Sequence, residues 1–158
     1  MKFTHSPESR PLDGYTIKRP LHRGGFGEVY FAVTDGGRDV ALKLLRENVE
    51  VELRGVQQCL NLSHSNLVTI FDVKQDPDGD YWIVMEFVPG TSLSTLVKRL
   101  RENDQRIAVL DACFIVVELL QGLHSAHVQR DARGSLARII HRDVSPQNCL
   151  ISYDGHVK

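Results

Sequence analysis

The sequence of 158 residues is poor in cysteine, nearly balanced in charge and without a long unbroken apolar run. Its three cysteines, Cys59, Cys113 and Cys149, are odd in number, widely separated and form no CxxC pair. That pattern argues against a disulfide framework or a thiolate zinc site and fits free thiols in a reducing, cytoplasmic setting. A formal net charge of −1 supplies no field that would draw in nucleic acid or an anionic membrane surface. The most apolar stretch, Val109 to Leu120, is interrupted by Asp111 and Glu118, so no membrane segment is expected there: it reads as too short to span a bilayer. Met1 to Pro11 hold one early Lys and no apolar segment, and are not read as a secretory signal. The rest is ordinary for a globular protein, with 42% hydrophobic and 25% charged residues, enough chain for one compact domain.

Residues 1–12 place Pro7 and Pro11 among polar residues and are expected to form a flexible tail. From Gly14 to Leu45, three strand-like segments are separated by Gly24, Gly25 and Gly27 and by Asp35-Gly36-Gly37. Three consecutive antiparallel strands are the economical reading. From Glu47 to Leu62 the period changes: Val49, Leu53, Val56 and Leu60 recur every three or four residues and predict an amphipathic helix. Two more strands are expected, Leu67 to Val73 and Asp80 to Phe87, joined by a turn at Asp76-Pro77-Asp78-Gly79. Pro89-Gly90 then breaks the chain, and Thr91 or Ser92 is placed to cap a helix running to Leu100. Ile107 to His127 is the longest helix candidate, Val128 to Arg138 reads as an exposed loop, and Cys149 to Ser152 is a last short apolar run.

The most informative stretch is His141-Arg142-Asp143-Val144-Ser145-Pro146-Gln147-Asn148, an H-R-D with an Asn five residues after the Asp. Four fixed letters at fixed spacing arise by chance about once in 10^5 starting positions, from average residue usage. Ahead of it, in order, stand Gly24-Gly25-Phe26-Gly27-Glu28-Val29, Val40-Ala41-Leu42-Lys43, His64-Ser65-Asn66-Leu67-Val68 and Ile83-Val84-Met85-Glu86-Phe87-Val88-Pro89-Gly90. Singly these are weak: a plain hairpin explains the glycines, and a lone lysine is usually a solvated strand-edge residue. Together, from Tyr15 onward, they resemble the protein kinase family, and within it the bacterial Ser/Thr subgroup.

The resemblance implies an α+β, two-lobe fold. A small lobe over 13–87 would hold a five-stranded antiparallel sheet and one helix, and 88–158 would hold the hinge and part of a helical large lobe. It implies ATP and Mg2+, with transfer of the γ-phosphoryl to a Ser or Thr hydroxyl of a protein substrate. A triphosphate is a concentrated anion, so it needs close backbone approach and a fixed cation. Gly24 and Gly27 would allow the approach, and Lys43 would supply the charge. Leu21, Val29, Ala41 and Leu150 would provide apolar surface around the adenine. Glu86 and Val88 would offer backbone hydrogen bonds, and Ser92 completes the nucleotide-binding set. Asp143 would orient the acceptor hydroxyl and take its proton, and Asn148 would present an amide oxygen to magnesium.

The sequence departs from the family pattern in several places. The first glycine of the loop aligns with His22, whose side chain restricts the backbone. Counting back from His64 for the glutamate partner of Lys43 lands on Gly55. Glu52, about one turn earlier, is the choice; Glu50 is a further candidate, and solvent-facing positions for both are the alternative. Ser145 stands where Ser/Thr kinases usually carry Lys, while Pro146 keeps their pattern. Family spacing puts the Asp of D-F-G three residues past Lys158. A second reading therefore stays open: a catalytically inactive truncated kinase or a module that binds nucleotide or a partner, with a second kinase covering the exposed large-lobe surface. On either reading the 158-residue polypeptide by itself is expected to transfer no phosphate at saturating Mg-ATP. Transfer that disappears on Asp143→Asn would refute this.

Overall fold

The structure is a computed structural model that describes residues 3–25, 27–60, 62–130, 134–136 and 139–158. The chain divides into two compact units, Met1–Asn61 with Thr69–Phe87, and Leu62–Val68 with Val88–Lys158.

The first unit is a five-stranded antiparallel sheet with one helix. Its strands are β1 (Tyr15–Gly24), β2 (Gly27–Thr34), β3 (Asp39–Leu45), β4 (Ile70–Gln75) and β5 (Tyr81–Glu86), in the spatial order β1-β2-β3-β5-β4. The helix α1 (Val49–Cys59) follows β3. β3 and β5 are apolar at both alternations, so the sheet has two faces to bury. On one face Leu45 and Ile83 pack with Val49, Leu53 and Val56 of α1. On the other, Tyr30, Ala32, Val40, Leu42, Leu44, Trp82 and Val84 form the larger core.

The cover for that second face corrects the expectation of a flexible tail over 1–12. The described part, 3–12, lies packed: Leu12 is buried in the larger core and Phe3 packs against it. The Phe3 ring meets Tyr30 edge-on at 5.6 Å, and the His5 ring lies 5.2 Å from Trp82. Backbone bonds tie the segment to β1, with Glu8 N donating to Ile17 O at 2.7 Å and Ile17 N to Ser9 O at 3.0 Å. The physical reason is area: an uncovered Tyr30 and Trp82 would each leave a large apolar surface in water.

The second unit pairs β6 (Gly90–Ser92) with β7 (Leu150–Ser152) and carries α2 (Leu93–Glu102) and α3 (Val109–Val128). Ser92 caps α2, its Oγ accepting from Thr95 N at 3.2 Å, and Arg99 and Arg101 sit in the last turn where the helix dipole favours cations. α3 runs over the stretch expected as the longest helix, Ile107 to His127, and its 20 residues are long and apolar enough, by length and composition alone, to cross a membrane. Ile115 and Leu119 nonetheless pack with Cys149 and Val157, while Glu118 accepts a 2.6 Å bond from the buried Asn66 Nδ2. Val109, Leu110, Phe114, Val116, Val117 and Leu120 are exposed. The same Asn66 donates to Val157 O at 2.9 Å, so 62–68 is held to α3 through Glu118 and to Val157, and β4 starts at Ile70 rather than Leu67.

The β4–β5 hairpin turns on a buried carboxylate. Asp76 is 8% exposed; its Oδ1 accepts the amides of Asp78 (3.0 Å) and Asp80 (2.9 Å), and its Oδ2 accepts Trp82 Nε1 (2.8 Å). Burial pushes the Asp76 pKa up, but these bonds outweigh it and hold the carboxyl below its ordinary value. Such a group stabilises the fold above the unfolded pKa of about 4 and loses that contribution as pH falls through the lower folded value. Asp76→Ala is expected to cost about 2–4 kcal/mol, because an indole N–H and two amides lose their acceptor. Thermal unfolding followed from about pH 7 to about pH 3 should also show a shallower acid limb in the variant.

Candidate active site

β1 and β2 close through a glycine turn whose last register pairs are Arg23↔Glu28 and Gly24↔Gly27. Gly27 has φ +142°, and a Cβ there would lie 2.0 Å from the Leu44 carbonyl oxygen of β3. The sheet itself therefore requires glycine at this position. Gly24 is different: a Cβ would meet only the His22 side chain, at 3.1 Å from Nε2. Leu21 precedes this pair on β1 and is partly exposed.

Register sets the next group. Val29 pairs with Lys43, Phe31 with Ala41, Lys43 with Ile83 and Ala41 with Met85. Because side chains alternate along a strand, Val29, Ala41 and Lys43 share one face, the face that α1 packs against. Asn48, in a left-handed conformation at φ 51°, precedes the first turn of α1, which carries Glu50 and Glu52. Lys43 Nζ donates to Glu52 Oε2 at 2.7 Å, the two side chains being 24% and 27% exposed. Glu50 is exposed. At the end of β5, Glu86 N donates to Thr69 O at 2.8 Å and Glu86 Oε2 accepts Thr69 N at 3.1 Å.

In the second unit, the half-buried Val88 leads through Pro89 into β6. Gly90 sits so close to β7 that a Cβ would fall 2.1 Å from Ile151 O. The Ser92 hydroxyl is committed to the α2 cap, with Ser94 Oγ and Thr95 Oγ1 each 2.9 Å away. The first amides of α2 hold the loop before β7: Leu93 N donates to Cys149 O at 2.8 Å and Ser94 N to Pro146 O at 2.9 Å. Cys149 is buried and Leu150 half-buried, with Leu150 and Lys158 exchanging backbone bonds of 2.7 and 2.8 Å. Above that anchor His141, Arg142, Asp143, Gln147 and Asn148 stand exposed. Asn148 Nδ2 donates to Asp143 Oδ2 at 2.8 Å and to Asp143 O at 3.0 Å, and Asp143 N donates to His141 Nδ1 at 3.3 Å. This leaves Asn148 Oδ1 and Asp143 Oδ1 as oxygen donors with no hydrogen bond recorded among the described residues.

A family model described as the protein kinase domain matches residues 15–158. The chain belongs to the protein kinase family. It is 34% identical over 148 residues to the serine/threonine-protein kinase PkaB of Streptomyces coelicolor, a match covering 89% of this chain and 32% of that protein. It is 27% identical over 163 residues to the tyrosine-protein kinase MasK of Myxococcus xanthus, covering 96% of this chain and 25% of that protein. The crystal structure of the Mycobacterium tuberculosis PknI kinase domain matches with a TM-score of 0.73 at 26% identity, over 97% of this chain and 61% of that one. This kinase chain thus spans a quarter to a third of the two curated relatives and about three-fifths of the solved domain.

Sequence reasoning missed the buried polar groups that tie segments together within each unit. Glu28, Asn66 and Asp76 are all buried polar groups. The available signal was the apolar residues at both alternations of β3 and β5, which demand a second covering layer and hence ties to it. The glycine geometry gives a direct test. Gly27→Ala is expected to lower stability by more than about 2 kcal/mol, since both φ and the Leu44 carbonyl oppose a side chain. Gly24→Ala should cost well under half of that, and urea unfolding of the two variants separates the cases.

Proposed function

We propose that this chain is the nucleotide-binding and catalytic-loop portion of a protein kinase that moves the γ-phosphoryl of ATP to a Ser or Thr hydroxyl of a protein. The observation that carries the reading is the pair of side-chain contacts formed by the diagnostic residues: Lys43 with Glu52 at 2.7 Å in one unit, and Asn148 with Asp143 at 2.8 Å in the other.

Each contact has a chemical use. Glu52 holds the Lys43 ammonium on the inner face of β3, where a fixed cation can meet the α- and β-phosphates. Gly24 and Gly27 keep the turn backbone free of obstructing side chains. In the first unit Leu21, Val29 and Ala41 offer apolar surface suited to the base; Leu150 is the apolar candidate of the second unit. Glu86 and Val88 contribute backbone, and Ser92 contributes by position, its hydroxyl being engaged in the cap. Asp143, oriented by Asn148 Nδ2, accepts the hydroxyl proton as the new O–Pγ bond forms and the Pβ–O–Pγ bridge breaks, leaving ADP. The amide oxygen of Asn148 is a hard oxygen donor and fits Mg2+. When bound, that ion neutralises phosphate charge.

A cavity of about 560 Å³ lined by Leu93, Val97, Arg101, Pro146 and Gln147 adjoins the same loop and suits a peptide segment of the substrate. Similarity to PkaB and the Pro146 position support Ser/Thr acceptors. Ser145 in place of the usual Lys, with the likeness to MasK, favours Tyr as the second reading. The three free thiols, with burial raising the pKa of Cys59 and Cys149, suit a reducing cytoplasm.

In the full native chain, Asp143→Asn is expected to lower phosphoryl transfer by about 10^2–10^4-fold, with ATP affinity within about two-fold of wild type. Phosphoamino-acid analysis of the labelled substrate should return phosphoserine or phosphothreonine; phosphotyrosine alone would select the second reading. Undiminished transfer by Asp143→Asn would overturn both.

A further inference from the structure

Glu28 opens β2 directly after Gly27, and its side chain is 2% exposed. A buried carboxylate is costly unless its lone pairs find donors. Here Thr4 N donates to Oε2 at 2.9 Å, Thr4 Oγ1 donates to Oε1 at 3.2 Å, the Tyr30 hydroxyl donates to Oε2, and Arg23 Nε lies 3.3 Å from Oε1. Burial pushes the Glu28 pKa up, but the bonds from Tyr30 and Thr4 and the charge of Arg23 outweigh it, so the carboxyl stays below its ordinary value. Burial and the bond to Glu28 raise the Tyr30 hydroxyl to about 12.

Two of those four donors come from Thr4, which lies 24 residues upstream of Glu28 and outside every strand. Thr4 is itself held: Arg46 Nη2 donates to its Oγ1 at 3.1 Å while Arg46 Nη1 pairs with Asp80 at 2.9 Å. The neighbouring His5 N donates to the Tyr30 hydroxyl at 3.2 Å. Arg23 and Glu28 are cross-strand partners, the last pair before Gly24 and Gly27. The N-terminal segment therefore grips the β2 stem of the glycine turn at Glu28, and Glu28 in turn holds Arg23 of the β1 stem. Three of the four turn residues, Gly24, Gly25 and Gly27, are glycines with wide backbone freedom, so the stems are what fix the turn's position.

We propose that Thr4 is a positioning residue for nucleotide binding: through Glu28 and Arg23 it clamps the base of the glycine turn and sets how closely the turn backbone approaches a nucleoside triphosphate. The ligand in this statement rests on the kinase reading, whereas the clamp rests on the contacts alone. Phe3 and Leu12 keep the segment seated on the larger core. Loss of the Thr4 hydroxyl therefore loosens the turn without stripping the sheet of its cover.

The test uses the full native chain. Thr4→Val keeps the side-chain shape and removes the hydroxyl. It is expected to raise KM for ATP roughly three- to ten-fold while kcat changes by less than about two-fold, the size of a lost hydrogen bond to a charged group felt in binding. Amide hydrogen exchange should quicken over 22–28 and stay unchanged over 81–86. Thr4→Ser should restore both readouts, and Glu28→Gln should reproduce the Thr4→Val pattern. Unchanged KM together with unchanged exchange in Thr4→Val overturns the proposal. Faster exchange spread evenly over the first unit, or a defect that Thr4→Ser leaves in place, overturns it too, since either marks general unfolding. If the wild-type chain binds no ATP, the kinase reading fails, and the exchange difference over 22–28 still decides the clamp.

Discussion

β3 is hydrogen-bonded along both edges and covered on both faces, and the placement of Lys43 depends on that double confinement. Val40, Leu42 and Leu44 lie in the larger core with Tyr30 and Trp82, so Ala41, Lys43 and Leu45 must face α1. A slip of one residue would turn the ammonium into the aromatic side of the sheet, where it would meet no carboxylate from α1. The register is pinned near the turn by Gly27, the one residue type that tolerates the Leu44 carbonyl at that distance. Gly27 is thus a steric key for the neighbouring strand, the one that carries Lys43.

The confinement of β3 needs material on the outer face, and the buried polar groups show how that material is fastened. No buried side-chain nitrogen or oxygen among the described residues lacks a partner. Glu28 ties in residue 4, Asp76 closes the β4–β5 hairpin onto Trp82, and Asn66 joins 62–68 to α3 and to Val157. Each tie links positions that apolar packing alone would leave free to slide, since hydrophobic burial is non-directional. Hydrogen bonds to a buried carboxylate are directional, and an unmet one is costly. In this fold the apolar residues supply most of the driving force, and these few polar groups select the register.

The five strands as chain segments, the two later helices and the loop at 141–148 were legible because each rests on a local signal. Period-two and period-3.6 patterns marked β2, β3, α1 and α3, and Thr91 or Ser92 after Pro89-Gly90 marked the start of α2, the structure selecting Ser92. The Lys43–Asp143–Asn148 spacing is a matter of sequence alone. The partner of Lys43 was readable only to within a helical turn, because Gly55 removes side-chain information from the position that spacing selects. Geometry then distinguishes Glu52 from Glu50 by which face of α1 each occupies. The covering role of 3–12 was hidden for another reason. Phe3 and Leu12 are isolated apolar residues among prolines and charges, with no period to announce them, and their use follows only from a surface made by strands 20 to 80 residues away. α3 was legible to within two residues at its start and one at its end, because its apolar residues recur at helical spacing from Ile107 to His127.

The second unit shows the same division of labour in a different form. α3 exposes a broad apolar stripe, yet the geometry of Asp143 and Asn148 does not lean on that stripe. Loop 141–148 is fixed from below by Cys149 in the core with Val157 and Ile115, and from the side by the first two amides of α2 bonding Cys149 O and Pro146 O. Those amides are orphan donors of a helix N-terminus, so satisfying them with loop carbonyls serves the helix and the loop at once. The β6–β7 pair then sets the distance, because Gly90 admits the Ile151 carbonyl where any side chain would push the strands apart. Within the loop, the Asn148 amide closes onto both the main chain and the carboxylate of Asp143, a short-range ring of two bonds. The carboxylate orientation is consequently a property of the turn and its two anchors. Burial of the α3 stripe would add stability to the unit, while the aim of Asp143 is already determined by contacts that the stripe does not touch.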